Sequence, residues 1–141
     1  MAEKPRQLRF NATLGPNSDL NSGTEIQWVR RNSQICDGRG QVVFELRDIE
    51  APQNWSQQAV DIVARQYFRF SLSKPETSVR ALVERVVKTI RQYGDEQLAY
   101  FHSKDDALTF ERSLGQLVYS QKASFNSPVW FNCGLWCAYQ V

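Results

Sequence analysis

Apolar positions along this chain fall into three regimes. Up to Thr24 they are isolated: Leu8, Phe10, Leu14 and Leu20 keep no sustained period among Asn, Ser, Gly, Pro and charged residues, a composition that predicts a mobile leader over residues 1–24. From Thr24 to Glu50 the pattern turns β-like. "IQWV" alternates, and "SQICDGRGQVVFEL" sets two short β-rich runs around Asp37-Gly38 and Gly40, where glycine supplies the positive φ of a reversing backbone. This predicts a hairpin or short meander. From Asn54 onward the spacing becomes three and four. Trp55, Ala59, Ile62, Val63 and Tyr67 share one helical face, with Gln57, Gln58, Asp61 and Arg65 largely away from it.

A second helix is clearer. Val79, Leu82, Val83, Val86, Val87, Ile90 and Tyr93 form an apolar stripe that Thr77 or Ser78 caps and Gly94 ends. A third pattern begins near Asp95 with Leu98, Ala99 and Phe101. It continues with Ala107, Phe110, Leu114, Leu117, Val118 and Gln121 on a shared face, capped by Ser103 or Asp105. The predicted fold is mainly α with a small β-hairpin or meander near the N-terminus, and residues 25–122 form its domain. Aromatic and β-branched residues at helical spacing read as core.

Composition narrows the function classes. The 141 residues suit one modest core. The 17 basic and 15 acidic residues are mixed along the chain and leave a net charge of +2, with no single-sign block of the kind that binds a polyanion, so no nucleic acid polymer is expected as a partner. No apolar run is long enough for a membrane span and Met1–Leu20 lacks a signal-peptide centre, so no membrane partner is expected and the default location is cytoplasmic. Cys36, Cys133 and Cys137 are too few for a secreted disulfide framework.

Motif chemistry is sparse. "DGRG" lacks the Lys and Ser/Thr of a P-loop and reads as a turn. His102 has neither a second His nor a nearby Cys, and Cys133 with Cys137 forms no C-x-x-C, so no metal site is expected. Asp105 and Asp106 sit at a helix start, where carboxylates oppose the dipole favourably.

"SFNSPVWFN" stands apart, because its residues share no single helical face. Pro128 has no N–H and biases Ser127 toward extended backbone, so the preceding helix should end before it and Ser127 should sit at a bend. Phe125, Val129, Trp130 and Phe131 would anchor that bend in a core, flanked by Asn126 and Asn132. The residues alone fit either an anion- or hydroxyl-binding turn or a structural Asx-type turn.

"KASFNSPVWFNCGL" resembles the segment of the adenosylcobalamin-dependent, class II ribonucleotide reductases in which a helix enters the catalytic barrel. Upstream, "VRRNSQICDGRGQVVFELRDIEAPQNWSQQAVDIVARQYFR" and "ETSVRALVERVVKTI" resemble the amino-terminal region of those enzymes in the same order, from about Ile26 to Leu135. The resemblance implies the helical front part of a larger α/β reductase with a ten-stranded barrel, residues 123–141 being the start of that barrel. It implies Ser127 as a substrate-binding residue toward the phosphate or ribose of a ribonucleotide, and no catalytic residue within the chain. Cys133 departs from the aliphatic residue usual at its place and is not assigned to the redox cysteine pair. The radical cysteine and the cobalamin pocket are expected in family segments downstream of this loop.

The resulting expectation is the amino-terminal portion of a ribonucleoside-diphosphate reductase that makes deoxyribonucleotides for DNA synthesis through a thiyl radical. Its implied cofactor is adenosylcobalamin, held by the parent enzyme rather than by these residues. Its partners would be the ribonucleotide and the remainder of the barrel, and the isolated chain would be inactive. Trp130, Phe131 and Trp136 would then leave an apolar patch facing the missing barrel. The competing reading is a stand-alone helical protein-interaction module without catalysis. A regulatory nucleotide-binding domain ranks last for want of a phosphate-binding glycine loop.

Overall fold

The computed structural model describes residues 7–8, 26–70 and 75–136. Most of the expected leader therefore lies outside the described residues, as does Cys137. Leu8 forms a parallel bridge to Phe101: its N–H donates to the Tyr100 carbonyl at 2.5 Å, and its carbonyl accepts from the His102 N–H at 3.0 Å.

The β-like regime forms one antiparallel hairpin, β1 (Trp28–Cys36) and β2 (Val42–Pro52), with Trp28 opposite Pro52 and Cys36 opposite Val42. Its turn is built as the residues dictate. The Asp37 carboxylate accepts from the N–H groups of Arg39 (2.8 Å) and Gln41 (2.9 Å), and Gly40 takes φ 79°. The strands run longer than the short runs expected, because irregularities at Arg31/Ser33 and Ile35/Cys36 let the pairing continue past misfits.

Two helices pack on the hairpin, and a third packs on the second of them and meets Trp28 edge-on through its last residue, Tyr119. α1 (Gln57–Gln66) is capped by Ser56, whose hydroxyl accepts from the Ala59 N–H. α2 (Val79–Gln92) is capped by Ser78, and α3 (Lys104–Tyr119) by Ser103. The core runs between Ile49 and Ala51 of β2, Val60 and Ala64 of α1, the α2 stripe, and Val118 of α3. Each fully buried Val or Leu in that stripe contributes about 1.5–3 kcal/mol relative to exposure.

Three expectations are corrected. α1 is rolled from its predicted face: Val60 and Ala64 are the buried pair, while Ile62 stays 42% exposed. Ala59, Val63 and Tyr67 only flank the core, because the face that meets α2 and the hairpin centres on residues 60 and 64. Gly94 does not end α2. The chain passes from Gln92 into a π-helical turn, Tyr93–Gln97, in which a Cβ on buried Gly94 would stand 3.1 Å from the Phe101 ring. Tyr93 accordingly leaves the stripe and is 60% exposed.

The hairpin is tied to α2 by polar contacts as well. Glu50 accepts from the Ser78 hydroxyl at 2.6 Å and from Arg80 Nη2 at 2.9 Å, and the Arg80 guanidinium lies 3.9 Å from the centre of the Trp28 ring. Burial works to raise the Glu50 carboxyl, but the hydrogen bonds from Arg80 and Ser78 and the charges of Arg80 and Arg30 outweigh it and leave it below its ordinary value. Burial, with Glu84 nearby, pushes the Tyr119 phenol well above its usual range.

Candidate substrate-contacting turn

Pro128 starts a helix rather than only stopping one. α4 (Ser127–Asn132) follows the loop after α3, with Asn126 extended at its N-cap and Pro128 in its first turn, where a missing N–H costs nothing because no intrahelical acceptor exists there. The expected bend falls at Asn126, one residue earlier than predicted. The Val129 and Trp130 N–H groups donate to the Asn126 carbonyl at 3.1 and 3.3 Å.

A helix of six residues does not hold itself in water. Its own sequence supplies an apolar anchor: Trp130 is buried in the core, edge-on to Phe125 at 5.3 Å between ring centres. The expectation that Trp130 and Phe131 await a partner is therefore corrected. Trp130 packs within this chain, and Phe131 lies 5.2 Å from the Tyr67 ring, with the Arg69 guanidinium also 5.2 Å from its centre. Trp136 alone of the three is largely exposed.

The other anchor is electrostatic. Arg85 and Glu76 form an ion pair at 2.6 Å, with side chains 3% and 1% exposed. Arg85 spends its remaining donors on the C-terminal end of α4: Nη2 donates to the Trp130 carbonyl at 3.1 Å and Nη1 to the Cys133 carbonyl. Arg69 Nη2 donates to the Phe131 carbonyl at 2.6 Å, while its backbone N–H donates to Glu76 at 3.2 Å. Two guanidinium groups thus satisfy carbonyls that a helix end leaves open. Gly134 follows at φ 80°, so close to α2 that a Cβ would stand 2.5 Å from Thr89 Oγ1 and 2.8 Å from the Arg85 carbonyl oxygen.

Held this way, Ser127 is exposed, and its hydroxyl lies 3.0 Å from the hydroxyl of Tyr67 at the end of α1. Asn126 makes no side-chain cap bond, and Asn132 turns back to donate to the Pro128 carbonyl at 3.0 Å. Tyr67, Arg69, Glu76 and Arg85 were missed as parts of the site by sequence reasoning, which read Tyr67 as core. The one available signal was Arg85, a charge set between Leu82 and Val86 of an apolar stripe.

Beside the turn, a cleft of about 290 Å³ opens among Trp55, Val63, Tyr67, Ser124, Phe125 and Trp130. No charged side chain lines it, so an anion is not its natural occupant. His102 lies at the start of α3, 3.9 Å from Asp106, and among the described residues no group of His, Cys, Asp or Glu is arranged to hold a metal ion.

Residues 29–72, which form the hairpin, α1 and the segment carrying Tyr67 and Arg69, match the family model described as class II vitamin B12-dependent ribonucleotide reductase. The chain is 46% identical over 113 residues to the vitamin B12-dependent ribonucleotide reductase of Streptomyces avermitilis, covering 78% of this chain and 12% of that protein. It is 36% identical over 137 residues to the enzyme of the same name from Rhodopirellula baltica, covering 95% of this chain and 13% of that protein. The latter match leaves too few residues outside it to exclude Ser127 and α4. The chain matches the N-terminal region of class II vitamin B12-dependent ribonucleotide reductases. It spans about an eighth of the length of these reductase relatives. Within the described residues, no helix is long and apolar enough to cross a membrane.

Proposed function

We propose that this chain is the amino-terminal portion of an adenosylcobalamin-dependent ribonucleotide reductase of the cytoplasm, and that Ser127 contacts the ribonucleotide. In the parent enzyme a thiyl radical starts the reaction, the ribose 2′-hydroxyl leaves as water and hydrogen takes its place, a pair of cysteine thiols supplying the two electrons as it closes to a disulfide; residues 123–141 lead into the catalytic barrel. On this reading adenosylcobalamin is held by the rest of the parent enzyme rather than by these residues, and it supplies the radical chemistry. On the same reading the 141-residue chain alone is inactive.

The observation that carries the reading is the exposed Ser127 hydroxyl at the start of a helix clamped by Arg69, Arg85 and buried Trp130. A small hydroxyl on a fixed backbone suits an anionic or ribose oxygen. The test is Ser127→Ala in a full-length reductase carrying this sequence. Loss of a hydrogen bond to a charged group removes about 1.5–3 kcal/mol, and KM should rise roughly ten- to hundredfold with kcat and melting temperature nearly unchanged. An unchanged KM in a destabilised enzyme would assign Ser127 to shaping the turn and end the binding role.

A further inference from the structure

Ser127 has one hydroxyl proton, and which way it points decides what the residue does. A serine hydroxyl carries one donor and two acceptor lone pairs. If it donates to Tyr67, it meets an anion with lone pairs; if it accepts from Tyr67, its own proton is available. The two oxygens lie 3.0 Å apart, which allows either direction. Two features favour the phenol as donor. Phenols are the more acidic hydroxyls and so the better donors. The Tyr67 ring is also fixed, flanked by Phe131 at 5.2 Å and Trp130 at 6.4 Å, and its backbone N–H is bonded to the Val63 carbonyl at 2.9 Å, so its hydroxyl reaches Ser127 from a set direction. Ser127 is exposed, so its proton has solvent or a ligand on the other side.

We infer that Tyr67 is a positioning residue, whose phenol donates to Ser127 Oγ and so turns the serine proton outward toward an oxygen of the bound ribonucleotide. This rests on Ser127 being a substrate contact and extends that reading to a residue in another segment of the chain. The same ring couples α1 to α4, so the direction of the serine proton is set by the packing that seats the helix.

The experiment uses the full-length reductase with Tyr67→Phe, which keeps the ring and removes only the hydroxyl, alongside Ser127→Ala and the double variant. KM and kcat are measured with CDP and CTP as probes, and melting temperature on each protein. Loss of a positioning bond between neutral groups should raise KM about two- to tenfold, with kcat and melting temperature unchanged. Adding Tyr67→Phe to Ser127→Ala should then raise KM no further, since both act through one hydroxyl. If Ser127→Ala raises KM and Tyr67→Phe does not, the positioning role is overturned while the Ser127 contact stands. Additive KM effects, or a lowered melting temperature with KM unchanged, overturn it as well. If Ser127→Ala itself leaves KM unchanged, the substrate contact fails first and the role of Tyr67 falls with it.

Discussion

Replacing Arg85 with methionine tests whether the buried ion pair holds α4. Arg85→Met keeps much of the aliphatic stem and removes the donors to Glu76, to the Trp130 carbonyl and to the Cys133 carbonyl at one stroke. Both side chains are almost wholly buried, so the Glu76 carboxylate loses its guanidinium without gaining water. Removing one partner of such a pair costs about 3–5 kcal/mol, against about 5–15 kcal/mol for a whole domain. At this chain length the melting temperature should fall by roughly 10–20 °C. The assay is thermal unfolding followed by far-ultraviolet circular dichroism, with hydrogen exchange to locate the loss. Amides of residues 129–134 should lose protection before those of α2, because α4 depends on the clamp whereas α2 also keeps its apolar stripe. Removing both charges, Arg85→Met with Glu76→Leu, should destabilise less than Arg85→Met alone, since no buried carboxylate is then left without the Arg85 guanidinium. A loss below about 1 kcal/mol, unchanged exchange at α4, or a double variant worse than the single would refute the reasoning.

Gly40 and Gly134 share nearly the same φ, 79° and 80°, but Gly40 has open space at its Cβ position whereas Gly134 meets Thr89 and Arg85; Gly40→Ala should cost about 1 kcal/mol, and Gly134→Ala clearly more, as read by urea denaturation. Glu50 is held below its ordinary carboxyl value by Arg80 and Ser78, so its contribution is present above the unfolded value and is lost as pH falls through the folded one. Glu50→Gln should therefore be slightly less stable than wild type at neutral pH, by up to about 1 kcal/mol because Arg80 is partly exposed, and the two should converge in acid; a gap that persists at pH 2 would count against the pair.

How much of this was legible in the sequence depends on the range over which each signal acts. Local signals were the legible ones: the hairpin at Asp37-Gly38 and Gly40, a cap at Thr77 or Ser78 that falls on Ser78, another at Ser103 or Asp105 that falls on Ser103, and the α2 stripe as far as Ile90 are set by residues a few positions apart. The face of α1 was misread because Ile62 and Val60 are equally apolar, and only the neighbouring hairpin decides which one is covered. Gly94 was misread for a similar reason: its lack of a side chain serves the close approach of Phe101, not a helix stop. Pro128 was correctly read as a break, but the same ring that ends one helix is suited to begin the next. The clamp was out of reach. Arg85 and Cys133 are 48 positions apart, and the acceptors are backbone carbonyls, which leave no trace in side-chain identity.

The site is consequently a product of three separated segments, and that bears on what fixes its geometry. The end of α1 brings Tyr67 to the Ser127 hydroxyl and Arg69 to the Phe131 carbonyl, so one short stretch touches both ends of α4. Glu76 then joins this stretch to α2, taking the Arg69 N–H on one side and Arg85 on the other. α2 is in turn fixed to the hairpin through Ser78, Arg80 and Glu50. Apolar burial of Trp130 alone would seat α4 yet leave it free to slide or roll, since hydrophobic attraction has no direction. Hydrogen bonds to the Trp130, Phe131 and Cys133 carbonyls do have direction, and they hold a single register. The position of one serine hydroxyl thus follows from contacts made at the opposite end of its helix.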